Sequence, residues 1–409
     1  MNCVRHLHIK TTQHFLNYNE FQETMPIISY QKKINALRIT SLFILSCVIV
    51  GCEFKFPSPP PKTFYKHTEL KVGRGPAYLI TVDLNLDGFP DLVSANAKNN
   101  TLSVLLGKGD GSFRKDLTFS VASEPTTITT GDINGDNIPD LLTNSRGAEQ
   151  FTVLLGYGNG SFRRLPGVKT GRVPLAIIPA DFNNDKKLDV AITLTFYKME
   201  IFMGLGNGTF SRGETYITGS RPFSGVAGDF NGDKNFDIAL ATSSSTSSAV
   251  RLYLGKGNGT FFKPKKLAKG LVPLSLIKKD MNGNGLQDLI FSSGQGDNMY
   301  MLFSRGDGTF EKEITFSGGG GPSALTVGYF NSDNQIDIAV ANSRSSNFSL
   351  IMRTGNESFH YPTRDYVVAG GTPLAITSGD YNNDGMIDIA VASNAKNTIE
   401  IYLQRKTFN

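Results

Sequence analysis

The sequence predicts an all-β protein in which one structural unit is repeated seven times. Three observations carry this. The run Pro76-Ala-Tyr-Leu-Ile-Thr-Val-Asp83-Leu-Asn85-Leu-Asp87-Gly88-Phe-Pro-Asp91 recurs in altered form at Asp132, Asp181, Asp229, Asp280, Tyr329 and Asp380, at intervals of 48 to 51 residues. Each unit holds four short apolar runs bounded by Gly, Asn and Asp, the usual punctuation of strands. No stretch after residue 62 sustains a 3.6-residue hydrophobic period, so essentially no helix is expected. Four antiparallel strands per unit, repeated with so little drift in length, predict a seven-bladed β-propeller.

The elements of a unit follow in order. A proline stands seven residues before each motif start, at 76, 125, 174, 222, 273, 322 and 373. It opens the first strand, where no ladder donor is lost; Leu374–Ser378 is the type. The second strand follows the last Asp of the loop, as in Asp388–Ala392. The third runs into an apolar end, as in Thr101–Leu106. The fourth starts at a Phe after a glycine-rich turn, at 113, 162, 210, 261, 310 and 359. Lys62-Thr63-Phe64 and Lys406-Thr407-Phe408 are in the same phase. Residues 64–72 are therefore expected to pair beside 399–403, closing the ring and protecting its edges. The length alone suggests two or three domains, but residues 63–409 read as one.

The chain ahead of the ring reads as an address. Residues 39–51 are an apolar run of 13 residues behind Lys32, Lys33 and Arg38, too short to span a bilayer. Residues 1–51 are a signal region. Its part 25–51 has the length of an ordinary signal, so 1–24 reads as sequence ahead of the true start. Ile49-Val50-Gly51-Cys52 resembles the lipobox of bacterial lipoproteins. That resemblance implies cleavage before Cys52, lipidation of its thiol and a lipid-anchored place in the bacterial cell envelope. Residues 52–62 are proline-rich, an extended spacer between anchor and ring.

The loop between first and second strands has the pattern D-x-N-x-D-G-x-x-D. Side chains at positions one, three, five and nine, with the carbonyl of position seven, make an all-oxygen set that suits Ca²⁺. No His or Cys lies near, which disfavours nitrogen- and sulfur-seeking metals. Position six must turn sharply. The first set (Asp83, Asn85, Asp87, Asp91) and the seventh (Asp380, Asn382, Asp384, Asp388) are complete, with Gly at the turn. The second (Asp132, Asn134, Asp136, Asp140) has Asn there. The third (Asp181, Asn183, Asp185, Asp189) and fourth (Asp229, Asn231, Asp233, Asp237) place Lys186 and Lys234 at it. The fifth (Asp280, Asn282, Asn284, Asp288) has one carboxylate fewer. The sixth has Tyr329 at the first position, leaving Asn331, Asp333 and Asp337, and is the weakest. Up to seven calcium ions are expected. The alternative is a set of Asx-stabilised hairpins needing no metal.

With these loops in view, the units resemble the FG-GAP/VCBS repeats of integrin α-subunit propellers and bacterial surface proteins. The resemblance covers residues 63–409. It implies a propeller with calcium in hairpins on one face, used for adhesion or protein contact.

The remaining composition narrows the function. A net charge of +5 over 409 residues gives no case for nucleic-acid binding. More than half of the acidic residues after Cys52 lie in the seven loops, which leaves the rest of the ring basic. The face opposite the loops offers Arg74, Arg146, Arg172, Arg221 and Arg344 to an anionic protein or polysaccharide. Only His67 and His360 remain beyond Cys52, and no serine elbow appears. A monomeric binding module, not an enzyme, is the leading expectation. A calcium-dependent lectin and a propeller lyase or hydrolase are the alternatives. Arg305-Gly306-Asp307 reads as a hairpin turn, since the same turn at 107–113 has Lys for Arg.

Overall fold

The computed structural model describes residues 63–405, apart from 115–116, 356–358 and 369–370. Contacts divide the chain into Met1–Pro60 and Pro61–Asn409. The signal region, Cys52 and the spacer up to residue 62 lie outside the described residues.

Residues 63–405 form seven antiparallel sheets, as the repeat predicts. Blade 1 is Pro76–Val82, Asp91–Asn96, Thr101–Leu105 and Leu117–Ser120. Blades 3 to 6 repeat this order, beginning at Pro174, Arg221, Pro273 and Pro322. Blade 7 joins Pro373–Gly379, Asp388–Ser393 and Thr398–Gln404 to Phe64–Lys71, the first strand of the ring. Phe64 faces Gln404 and Lys71 faces Thr398, so the two ends close the circle by backbone pairing. The one helical turn among the described residues is Arg146–Ala148.

Pro76, Pro174, Pro273, Pro322 and Pro373 do open first strands, and Pro222 is second in its own. The ladder shifts register just after them. Pro76 faces Asn96 while Tyr78 faces Ala95, leaving one residue bulged. A residue without an N–H tolerates such a break. Blade 2 departs from the pattern. Its first strand is only Ile128–Gly131, because the Thr126 and Thr127 N–H groups donate to the Asn144 side chain at 2.8 and 2.9 Å. Its outer strand is split into Phe162–Arg164 and Val168–Lys169, on either side of Pro166. The expected start of the fourth strand at the Phe holds at Phe162, Phe210 and Phe359. Phe113, Phe261 and Phe310 instead make single bridges to Gly107, Gly255 and Ser304, and their strands start later.

The core lies between blades. Each of seven apolar clusters is shared by two neighbours; one joins Phe330, Phe348 and Leu350 of blade 6 to Ile389, Val391 and Tyr402 of blade 7. Loop position two plugs these layers: Leu84, Ile133, Phe182, Phe230, Met281, Phe330 and Tyr381 are all buried. Burying such a side chain contributes roughly 1.5–3 kcal/mol, so each loop is pinned at its base whatever its tip does.

Candidate functional site

The acidic hairpins and the glycine-rich turns share one face of the ring. The Gly111 N–H donates to the Tyr381 carbonyl, Gly259 to Phe182 and Gly308 to Phe230, each at 2.8 Å. Those acceptors are position two of the preceding blade's hairpin. At position six the backbone is left-handed in all seven loops, including Lys186 and Lys234 at φ 67°. The side chain at position one explains how lysine is held there. Asp181 Oδ2 accepts the Lys186 N–H at 2.7 Å, and Asp229 Oδ2 accepts that of Lys234 at 2.9 Å. Asp83, Asp132, Asp280 and Asp380 do the same for Gly88, Asn137, Gly285 and Gly385. Tyr329 has no such acceptor and its side chain is exposed.

Positions three and five touch each other. Asn85 Nδ2 donates to Asp87 Oδ2 at 2.7 Å. Asn134 with Asp136, Asn231 with Asp233, Asn331 with Asp333 and Asn382 with Asp384 repeat this at 2.8 to 3.1 Å. In the third loop Lys187 Nζ lies 3.7 Å from Asp185 Oδ2, so that loop carries a cation of its own. The Lys187 N–H also holds the Asp185 carboxyl below its ordinary pKa.

Position nine is different in kind. All seven ninth-position aspartates are fully buried. Asp91 Oδ2 accepts the Leu84 N–H at 2.9 Å and its Oδ1 accepts the Gly107 N–H at 2.8 Å. The same two bonds recur at Asp140, Asp189, Asp237, Asp288, Asp337 and Asp388, all between 2.7 and 3.2 Å. Each ninth carboxylate therefore clamps the hairpin to the end of the third strand. Burial pushes these carboxyls up, against the pull of their two N–H donors, and carboxylates of the same loop add to the rise. Asp91, Asp189 and Asp237 reach about 6, and Asp337 and Asp388 about 7. Asp140 and Asp288 are raised as well.

The expected ligand sets are thus brought together in two tiers, a partly exposed group at positions one, three and five and a buried acid at nine. Among the described residues, no three acidic, imidazole or thiol groups converge on one point as a metal cage. The loop's own N–H groups engage the side chains of the expected sets. The second, third and fifth loops are examples. Asp136 Oδ1 accepts the Ile138 N–H at 2.9 Å, and Asp136 Oδ2 accepts the Asn134 amide. Asn183 Oδ1 accepts the Asp185 N–H at 3.1 Å. Asn282 Oδ1 accepts the Asn284 N–H at 3.2 Å, and Asn284 Oδ1 in turn accepts the Leu286 N–H at 2.9 Å. Asp136, Asn183, Asn282 and Asn284 accept N–H groups of their own turns, a feature that the Asx alternative and the calcium reading share. Asn284 also adds no charge where the other loops have an Asp.

The donor chemistry nevertheless fits a hard cation. At the tip, the asparagine amide supplies the positive end beside the Asp carboxylate. Turning that amide over would set oxygen against oxygen, an arrangement that a cation stabilises. Each clamped carboxylate oxygen also keeps a free lone pair.

On the opposite face the arginines are largely engaged. Arg172 Nε lies 3.4 Å from Glu149, and Arg344 pairs with Asp297. The Arg221 guanidinium lies 4.9 Å over the Phe223 ring. Arg146 lines the central cavity of about 280 Å³ formed by the first-strand segments of all seven blades, and Arg74 is exposed. A second cavity along the first strands, about 570 Å³, carries Lys278, whose ammonium burial pushes below its ordinary pKa. Arg305-Gly306-Asp307 is a hairpin turn. Asp307 Oδ1 accepts the Thr309 N–H at 2.9 Å, as Asp110 does for Ser112 at 2.8 Å.

Comparison with known proteins agrees with this fold. The FG-GAP-like repeat model matches residues 83–143, 181–240, 280–340 and 329–391. No curated protein sequence matches the chain. Among solved structures it is similar to BBS1N from a complex with ARL6DN, at TM-score 0.58 and 12% identity, over 84% of this chain and 98% of that one. It is also similar to a protein from Lactobacillus plantarum, at TM-score 0.55 and 14% identity, over 75% and 88%. A third is an Agrocybe aegerita lectin that recognises non-reducing terminal N-acetylglucosamine, at TM-score 0.50 and 16% identity, over 78% and 86%. At such identities these likenesses concern the fold. The family model covers more than half of the chain and begins its matches on the acidic hairpins, so the chain belongs to the FG-GAP-like repeat family.

Proposed function

We propose that this propeller is a calcium-loaded interaction module held at the bacterial envelope by a lipid on Cys52. The fold itself supports a protein-interaction module in general. The observation that carries the calcium reading is the partly exposed oxygen group at positions one, three and five, repeated around one face of the ring. Ca²⁺ bound there neutralises clustered carboxylates and, by binding only the native ring, stabilises it. The protein's own residues do the rest. Position two anchors each hairpin, position one fixes the turn, and position nine holds the hairpin to its blade. The module thus offers seven firmly held tips on one face and seven loops on the other.

Calorimetric titration of the chelated mature chain with Ca²⁺ tests this. Saturable uptake with a rise in Tm supports it; a Tm indifferent to chelator and calcium contradicts it. Metabolic labelling with palmitate tests the anchor, and Cys52→Ala abolishes incorporation on this reading. A calcium-dependent lectin is the second reading, prompted by the similarity to a sugar-binding propeller. A glycan array with calcium-loaded protein separates the two.

A further inference from the structure

The third strands share one buried slot, opposite the fourth residue of each second strand. It holds Ser103, Thr152, Glu200, Arg251, Tyr300, Ser349 and Glu400 in blades 1 to 7. Two of these are acids, and each has a cation. Arg212 Nη2 lies 3.3 Å from Glu200, and Lys66 Nζ lies 2.8 Å from Glu400. Arg251 is the one base, only 5% exposed, and no acid pairs with it among the described residues. Its guanidinium reaches neutral oxygens alone. Nε donates to Thr242 Oγ1 at 3.0 Å, and Nη2 to Ser247 Oγ at 3.0 Å and Ser220 Oγ at 3.3 Å. A buried charge without a counter-ion is costly.

Beside it is a cavity of about 290 Å³, lined by the run Ser244–Ser248 together with Lys266 and Lys269. Lys266 Nζ lies 3.3 Å from Ser247 Oγ, the same hydroxyl that Arg251 holds. Both lysines are exposed, and neither forms an ion pair among the described residues. Hydroxyls spread around the wall, two long ammonium side chains and a buried guanidinium behind them suit a tetrahedral anion with several acceptor oxygens.

We propose that this pocket, at the end of blade 4 away from the acidic hairpins, binds an oxyanion group, a sulfate or a phosphate. The anion supplies the negative charge that Arg251 lacks, as Arg212 and Lys66 supply the positive charge that Glu200 and Glu400 need in the corresponding slots. The site is independent of the calcium hairpins, so it is tested in chelator, where those hairpins do not respond. Inorganic sulfate and inorganic phosphate are titrated separately by calorimetry at constant ionic strength, which also shows which of the two the site prefers. The expected result is saturable binding of at least one, weakened about tenfold in the double variant Lys266→Ala, Lys269→Ala. Both of those side chains are exposed, so that variant folds. Arg251→Met replaces the buried charge with an apolar chain and weakens the binding, since Arg251 stands behind Ser247 and not on the cavity wall. Absence of saturable binding by the unaltered chain, or equal binding by it and the double-lysine variant, overturns the proposal.

Discussion

The hairpins of blades 6 and 7 follow one another in the chain and differ at one position that matters. Asp380 opens the seventh hairpin, where its carboxylate accepts the N–H groups of Asp384 and Gly385 at 3.1 and 2.9 Å. Tyr329 stands in its place in the sixth and accepts neither. Yet both hairpins keep the same course. Asn334 and Gly385 are both left-handed, and Asp337 and Asp388 both clamp two N–H groups. The blade therefore does not depend on the first acid. The pattern D-x-N-x-D-G-x-x-D contains two devices, a buried clamp at position nine that every blade keeps and a partly exposed oxygen group that blade 6 has partly lost.

The strongest way to break this comparison is to remove the clamp where the oxygen group is already weak. Asp337→Ala leaves the Phe330 and Arg353 N–H groups buried without the acceptor they share. Loss of about 3–5 kcal/mol is expected, read as a fall in the urea midpoint with chelator present.

Next in size is the pH dependence of the metal-free ring. An unfolded Asp titrates near 4, whereas Asp337 and Asp388 titrate at about 7 and Asp91, Asp189 and Asp237 at about 6. As pH falls from 8 to 5 the folded ring takes up protons that the unfolded chain does not. Stability then rises; conversely it is lost as pH climbs through 6 to 7. The Tm in chelator should increase as pH falls over that interval, and Asp337→Ala should show a smaller increase.

Restoring the sixth oxygen group is a gentler test. Tyr329→Asp should add a calcium-dependent gain, up to about 2.7 kcal/mol at a hundredfold excess over Kd, and one more ion in the calorimetric stoichiometry. The smallest effect concerns the other difference of blade 7, its assembly from the two ends of the ring. Lys66→Ala leaves Glu400 buried without its cation, held among the described residues only by the Tyr402 hydroxyl, at a cost of roughly 1–2 kcal/mol because Lys66 is partly exposed. Urea unfolding in chelator reads that loss.

The ring was legible because a period near 49 residues and four strand patterns per period leave few architectures. Closure by residues 64–72 followed from the shared phase of the two ends. Other features were hidden for physical reasons. The fourth strand does not start at Phe113, Phe261 or Phe310, since each makes one bridge without extending the ladder. The loop pattern located Asp136, Asn183, Asn282 and Asn284 but not their partners, because an Asx turn and a metal ligand ask for the same residue types at the same spacing. The clamp was not visible because its second donor lies 15 to 18 residues beyond the acid, in another strand. The slot of Arg251 lies outside the loop pattern, and its one signal in the sequence is a charged residue inside Ala-Val-Arg-Leu-Tyr.

The claim that positions one and nine do separable work is tested most directly by comparing Asp380→Ala with Asp388→Ala. The urea midpoint of each is measured in chelator and again in calcium. Asp388→Ala is expected to be severely destabilised in both, and Asp380→Ala to lose little in chelator while losing the calcium-dependent gain of its hairpin. If Asp388→Ala in chelator is as stable as the unaltered chain, the ninth acid is no clamp and the account is wrong.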